Sequence, residues 1–356
     1  MSDRATKGQA TDPLGLGDPR MRIWKTWVAA VLIVWAVLVT RSSHWHDALS
    51  HWPMAVVMLF GAPVGAATSM GGGSVAFPFL VLVFHRSAAI GRDFAVAVQS
   101  IGMTSAFIFL YCRRVPLQAT LLFWNLVGAG LGLLAGTYWI APRVDDVMVK
   151  LLFAALWMSF GLLLIGKNRE FSRLDSHTPM RTSLAIRFGL TIGVAGGVAA
   201  ALIGGGLDML TYAALLLMFR YDLKIAIPHA VSSMGIASAM ANGLHFGFGH
   251  VSNEVLFSWM AAAPVALLAA PMGTLVLTVV PRVRMVYAVA TLCVIQFCWT
   301  LYQLHPSRNG WLWVASVLCA ALGAFWLMFQ YGRRHSRTFT CAAAASDTLG
   351  LLQESD

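Results

Sequence analysis

Apolar residues fill this chain in long blocks, and polar residues are confined to short stretches between them. The blocks cover 27–40, 52–85, 94–112, 119–141, 148–166, 188–219, 229–247, 255–280, 285–303 and 311–331. Most approach the roughly 20 residues that a helix needs to cross a hydrocarbon core of about 30 Å. A backbone in hydrocarbon must satisfy its own hydrogen bonds, and these blocks far exceed the roughly 10-residue alternating segments of outer-membrane barrels. The pattern therefore predicts an all-α, polytopic transmembrane helix bundle.

Two blocks are too long for one crossing. At about 1.5 Å per residue, 52–85 would make a rod of about 51 Å. Both overlong blocks contain a glycine triplet, "SMGGGSVAFP" at 69–78 and "LIGGGLDMLT" at 202–211. Each glycine costs about 1 kcal/mol in a helix interior, so three together predict a break. The breaks belong to an internal repeat. A shift of 133 residues lays Gly71, Gly72 and Gly73 on Gly204, Gly205 and Gly206, and lays "AVQSIGMTSA" (97–106) on "AVSSMGIASA" (230–239) without a gap. A weaker echo follows in "PRV" at 142–144 and 281–283.

Lysine and arginine positions orient the bundle. If each broken block folds back to the face it came from, 19 of the 25 basic residues lie on the cytoplasmic side; if each crosses once, 16 do. The hairpin version is preferred, with both termini cytoplasmic. It makes the two halves inverted, and inverted repeats with broken helices near the midplane are the architecture of secondary transporters. The expected organisation is a basic N-terminal segment with the first membrane helix and a loop (1–51), repeat 1 (52–166), a basic cytoplasmic linker (167–187), repeat 2 (188–303), a C-terminal membrane helix (304–331) and a disordered cytoplasmic tail (332–356). Each repeat consists of one glycine-broken hairpin plus three membrane helices.

Composition sharpens this picture. With 58% hydrophobic and 11% charged residues, a water-soluble surface could hardly be built. The net charge of +10 sits in short loops, as topology signals and anionic-lipid contacts, and argues against nucleic acid as a partner. The cysteines, Cys112, Cys293, Cys298, Cys319 and Cys341, form no disulfide framework or metal-spaced cluster. The block at 27–40 follows a basic N-terminus as a signal peptide would, but "RSSHWHDALSH" offers no small-residue cleavage site, so a retained membrane helix is expected.

A broken helix exposes backbone N–H groups and about half a positive charge at the start of the following segment, which suits an anion. The competing reading is that the glycines serve only close helix packing, as Gly128, Gly132 and Gly136 are expected to do within the chain. Each break is followed at a fixed offset by a polar helix. Ser100 and Thr104 share one face of the first, beside Gln99 and Ser105. The second carries Ser232, Ser233, Ser238 and Asn242. Such side chains can hold a desolvated oxyanion or merely bond back to their own helix. The expected substrate-binding set is Gly71, Gly72, Gly73, Ser74, Gln99, Ser100, Thr104, Gly204, Gly205, Gly206, Ser232, Ser233 and Ser238.

Asp208 interrupts the symmetry, because its counterpart is Val75. An intramembrane acid reads as a proton-coupling site or a cation ligand. Two residues past a break, it can equally hold its own helix N-terminus, leaving the Gly71–Ser74 turn as the better substrate contact. His229 is a second coupling candidate, or an interfacial histidine. In "HWHDALSH", His44, His46, Asp47 and His51 match no strong metal motif. Signatures of soluble catalytic sites and of bound cofactors are absent.

The stretches "SMGGGSVAFPFLVLVF" with "AVQSIGMTSA", and "LIGGGLDMLTYAALLLMF" with "AVSSMGIASAMAN", resemble the two halves of the sulfite exporter TauE/SafE family over roughly 52–303. The resemblance implies a secondary transporter in a bacterial plasma membrane that exports a small sulfur-containing oxyanion such as sulfite or a sulfonate, driven by a proton or sodium gradient and without a nucleotide. The sequence departs from that pattern at Thr211, where Pro78 of the first half leads one to expect proline, and at Asp208, where an apolar or small residue is expected. Other classes remain in view. A membrane-embedded enzyme would use His229, His245, His250 and Asp208; a scaffold would use the glycines for packing alone.

Overall fold

The computed structural model describes residues 17–68, 70–171, 180–248 and 251–353, and among them every regular element is a helix. Helices α1 (Met21–Ser42) and α2 (Trp45–Ser50) precede the first repeat. That repeat comprises α3 (Trp52–Thr68), α4 (Gly73–Pro78) prolonged by a π-helical turn over Phe79–Val83, α5 (Ala88–Cys112), α6 (Ala119–Ala135) and α7 (Asp146–Phe171). The second comprises α8 (Thr182–Ile203), α9 (Leu207–Leu217), α10 (Leu223–Phe248), α11 (Asn253–Val279) and α12 (Arg282–Leu304), and α13 (Arg308–Gln353) closes the chain. Moved by the same 133 residues, α3 to α7 fall on α8 to α12, so the repeat in the motifs extends to all five helices.

The repeats pack through exchanged partners. Helix α6 lies along α8 and its counterpart α11 lies along α3, while α5 packs on α10 and α7 on α12. Each of these helices thus packs either on the counterpart of another helix of its own repeat or on its own counterpart. Small residues permit the closest of these contacts. A Cβ on Gly128 would fall 3.0 Å from the Gly193 Cα, and one on Gly132 would fall 3.0 Å from the Gly197 Cα, so the glycine stripe of α6 packs within the chain against α8.

At both triplets the helix ends and the chain turns back. Gly204 (φ 70°) caps α8, with its N–H on the Ala200 carbonyl, and Gly206 (φ 105°) opens α9; Gly71 has φ 68°. A residue with a Cβ would lose roughly 1–2 kcal/mol in this left-handed region. The return is antiparallel and close: a Cβ on Gly196 would lie 2.8 Å from the Leu207 Cα, and one on Gly61 would lie 3.0 Å from the Val75 Cβ. The returning segments 73–83 and 207–217 rise about 16 Å at 1.5 Å per residue, about half of a hydrocarbon core.

Among the described residues, eight helices are long and apolar enough to cross a membrane: α1, α5, α6 with its extension to Arg143, α7, α8, α11, α12 and α13. The chain is a multi-pass membrane protein. Helix α10 is long enough but too polar to join that set, although the sequence pattern places a span at 229–247. Its Ser232, Ser233 and Ser238 are buried within the bundle instead of facing lipid. The C-terminal segment also differs from expectation, because α13 continues to Gln353 where a disordered tail was anticipated. The alanine run Ala342–Ala345, made of the strongest helix former, favours that continuation. Residues 1–16 of the basic N-terminus, 172–179 of the linker and 354–356 of the tail lie outside the described residues.

Candidate functional site

Gln99 stands just before the middle of α5, where a lone amide among apolar neighbours must find partners. Its Nε2 donates to the Ala95 carbonyl at 3.0 Å and to the Gly204 carbonyl at 2.7 Å. The second break is thereby tied to the middle of the first repeat's polar helix. The first break meets it there: a Cβ on Gly73 would lie 3.1 Å from the Gly204 carbonyl oxygen. Ser74 Oγ closes the first turn by donating to the Gly71 carbonyl at 2.7 Å. Gly72 opens α4 with ordinary helical angles. Gly205 lies over the Trp157 ring, which belongs to a stack running Phe77, Phe153, Trp157 beneath the breaks.

Asp208 is 1% exposed and sits in the first turn of α9. Its Oδ1 accepts from the backbone N–H groups of Gly206 (3.1 Å) and Met209 (3.0 Å), where an anion would otherwise bind. The carboxylate thus fills the second helix start from within the chain. Its Oδ2 is buried without a hydrogen-bond partner, as is Gln99 Oε1.

The remaining expected residues divide into two groups. Ser100 and Thr104 lie where α5 meets α10: Ser100 Oγ donates to the Ala97 carbonyl and accepts from Asn242 Nδ2 (3.3 Å), and Thr104 Oγ1 donates to the Gly235 carbonyl (3.3 Å). Ser232 bonds back to the Pro228 carbonyl, and Ser238 Oγ is buried without a partner. Ser233 belongs to a cluster that the sequence reading missed. Asn125 Nδ2 of α6 donates to Thr211 Oγ1 of α9 (2.8 Å) and to Ser233 Oγ of α10 (3.0 Å). The available signal was a single buried amide in the otherwise apolar α6 and a threonine in the place of the expected proline.

Among the described residues, the candidate histidines His229 and His245 stand apart. His229 Nε2 accepts from the Gln118 backbone N–H at 2.6 Å, which places the ring proton on Nδ1, toward the Ile225 carbonyl at 2.9 Å. His245 Nδ1 lies 3.2 Å from Asp93 Oδ1, which also accepts from Arg92 Nε at 2.7 Å. His44 pairs with Asp47 in the α2 region, and His250 lies outside the described residues. Among the described residues, no three His, Cys, Asp or Glu side chains come together as a metal site.

A pocket of about 250 Å³ abuts the first break at Met70 and Ser74 and opens between the α4 segment and α12, past Phe79, Leu292 and Trp299. Its lining is almost wholly apolar, with Ser74 and Gln296 as the polar exceptions.

Comparison with known proteins agrees with this architecture. The family model for sulfite exporter TauE/SafE matches residues 54–298, which takes in both repeats and both breaks. The probable membrane transporter protein YunE of Bacillus subtilis (strain 168) is 23% identical over 220 residues, covering 56% of this chain and 79% of that protein. No solved structure matches the chain.

Proposed function

Because the chain belongs to the sulfite exporter TauE/SafE family, a membrane transporter family, we propose that it is a secondary transporter exporting a small sulfur-containing oxyanion, such as sulfite or a sulfonate, across a bacterial plasma membrane. The observation that carries this reading is the meeting of the two glycine breaks beside Gln99, at the middle of a membrane helix and between two repeats related by exchange. In this reading the repeats are inverted about an axis between α5 and α10, both termini face the cytoplasm, and alternating access rocks one repeat against the other. The substrate contacts the Gly71–Ser74 turn, since Asp208 Oδ1 occupies the equivalent place in repeat 2. Ser100 and Thr104 stand on the α5–α10 seam along which it moves, and Ser232, Ser233 and Ser238 lie farther around α10 as later contacts. The cycle couples the anion to an ion gradient, and the two gradients together set its direction. A membrane-embedded enzyme is the weaker reading, because His229 and His245 are engaged at separate places.

Flux in proteoliposomes against sulfite, thiosulfate, sulfoacetate and sulfate, with and without a proton gradient, tests the assignment. At least one of these anions should move, and Gly71→Ala should stop it. Failure of all four to move, with the protein inserted and folded, would remove the proposed substrate class.

A further inference from the structure

Asp208 Oδ2 and Gln99 Oε1 converge on Gly71. Each lies 2.5 Å from the point that a Gly71 Cβ would occupy, so the two are at most twice that distance apart. Both residues are 1% exposed, and both oxygens lack a hydrogen-bond partner. Two buried acceptors beside one small space, with no donor between them, are left unsatisfied.

The conflict is not relieved by turning the amide over. Gln99 Nε2 faces two carbonyls, Ala95 and Gly204, and only an N–H can serve them, so Oε1 must point toward Asp208. On the carboxylate, Oδ1 already accepts two backbone N–H bonds, which leaves Oδ2 as the oxygen with room for a hydrogen. A hard metal cation would seek six to eight oxygens. Of the three heavy atoms nearest the Gly71 Cβ position two are oxygens, Asp208 Oδ2 and Gln99 Oε1, well short of that number.

We propose that Asp208 and Gln99 form a proton-binding site, with the proton on Asp208 Oδ2 and shared with Gln99 Oε1, and that this proton is carried with the anion. The second part rests on the transport reading; the first does not.

Charged groups on the elements around α9 leave the site to the proton. Helix α5 brings Arg92 and Asp93, which pair with each other and with His245 of α10. His229, also of α10, is held at Gln118. Helix α13 brings Arg333 and Arg334 to the far end of α9, where Gly332 abuts the Leu217 carbonyl. Among the described residues none of these forms an ion pair or hydrogen bond with Asp208. With the proton bound, the centre is neutral and an anion can approach the Gly71–Ser74 turn. With it lost, a carboxylate faces that turn and repels the anion. Proton and anion therefore favour each other's binding, and the linkage is reciprocal. Each cycle carries both in one direction, set by their combined gradients, so an outward anion gradient drives export when it exceeds the inward proton gradient.

The experiment uses the full chain in lipid vesicles, with infrared difference spectroscopy across pH and, separately, sulfoacetate affinity and flux; sulfoacetate stays ionised through the neutral range. Asp208→Asn keeps the packing, since its amide can donate to Gln99 Oε1 and its carbonyl can accept from Gly206 and Met209. The expected result is a protonated-carboxyl band in the wild type that is absent from Asp208→Asn. Wild-type sulfoacetate affinity should fall about tenfold per pH unit once Asp208 titrates, and become independent of pH in the variant. A band unchanged by the substitution, or affinity set by sodium instead of pH, overturns the proposal. A band that belongs to Asp208 without any sulfoacetate binding upholds the proton site and removes the sulfonate reading. Should Asp208→Asn not fold, Asp208→Glu must move the band's titration, and failure to move it overturns the assignment.

Discussion

Gln99 donates its side-chain amide to the Gly204 carbonyl at 2.7 Å, so a residue of one repeat holds the broken helix of the other. The Gly204 carbonyl ends α8 at a buried position, and a buried carbonyl left without a donor costs about 1–3 kcal/mol. Gln99→Leu should therefore lower thermal stability by that amount and abolish flux. Gln99→Glu should be worse, because it sets a second carboxyl against Asp208. Melting curves in detergent together with proteoliposome flux separate the two variants, and a fully active Gln99→Leu protein would show that the tie is dispensable.

The glycines within each triplet are not equivalent. A Cβ on Gly71 would strike both Asp208 Oδ2 and Gln99 Oε1 at a positive φ, whereas one on Gly72 meets the flexible Met58 Cε at 3.2 Å in a helical conformation. On Gly204 it would press on the Arg92 carbonyl at 2.7 Å, and on Gly205 the nearest atom is Trp157 Cη2 at 3.7 Å. Gly71→Ala and Gly204→Ala should eliminate transport and destabilise by more than the roughly 1–2 kcal/mol of the left-handed backbone alone. Gly72→Ala and Gly205→Ala should retain most activity. Equal damage at all four positions, measured by flux per inserted molecule, would contradict the geometry.

Part of this arrangement is legible in the sequence and part is hidden from it. The triplets, the polar helices and their shared 133-residue offset are visible because a break inside an apolar run has no cheap local explanation. The packing role of Gly128, Gly132 and Gly136 is legible from their spacing, whereas their partners Gly193 and Gly197 are not. That Asp208 Oδ2 is left beside Gln99 Oε1 is not legible, because it depends on how the Gly71 turn and α5 of the other repeat arrive at α9. His229 reads as a titratable group and proves to be held between Gln118 and Ile225, a partnership over 111 residues that no local pattern records. Asn125 was passed over because one amide in an apolar helix resembles noise until Thr211 and Ser233 converge on it.

Helix approach in this bundle should be sensitive to single methyl groups. A Cβ on Gly193 would press on the Asn125 carbonyl and lie 2.9 Å from the Ala129 nitrogen, whereas a Cβ on Gly243 meets nothing within 4 Å. Gly193→Ala should cost about 1–3 kcal/mol through overpacking and reduce transport together with stability. Gly243→Ala should be neutral or gain up to about 1 kcal/mol from helix propensity. Thermal denaturation of the two variants side by side checks the contrast, and a stable Gly193→Ala protein would mean that α6 and α8 are free to separate.

Arg92 lies against the second break through its backbone, with its carbonyl pressed on Gly204, and it extends its side chain toward the Ala201 carbonyl at 3.5 Å. Its charge is offset by Asp93, which also holds His245. If an anion approaches the breaks from this side, Arg92 attracts it and Asp93 opposes it, and the two substitutions should act with opposite signs. For partly exposed charges the effect is of order 1 kcal/mol, roughly fivefold in affinity. Arg92→Gln should raise KM for the transported anion by about that factor, and Arg92→Lys by less. Asp93→Asn should lower KM, because it leaves the guanidinium unopposed. Both shifts should shrink as ionic strength rises, since salt screens partly exposed charges more than buried ones. Initial flux rates at two salt concentrations decide the matter. If Arg92→Gln and Asp93→Asn moved KM in the same direction, the cluster would be acting on the shape of the Gly204 turn instead of on the charge of the solute.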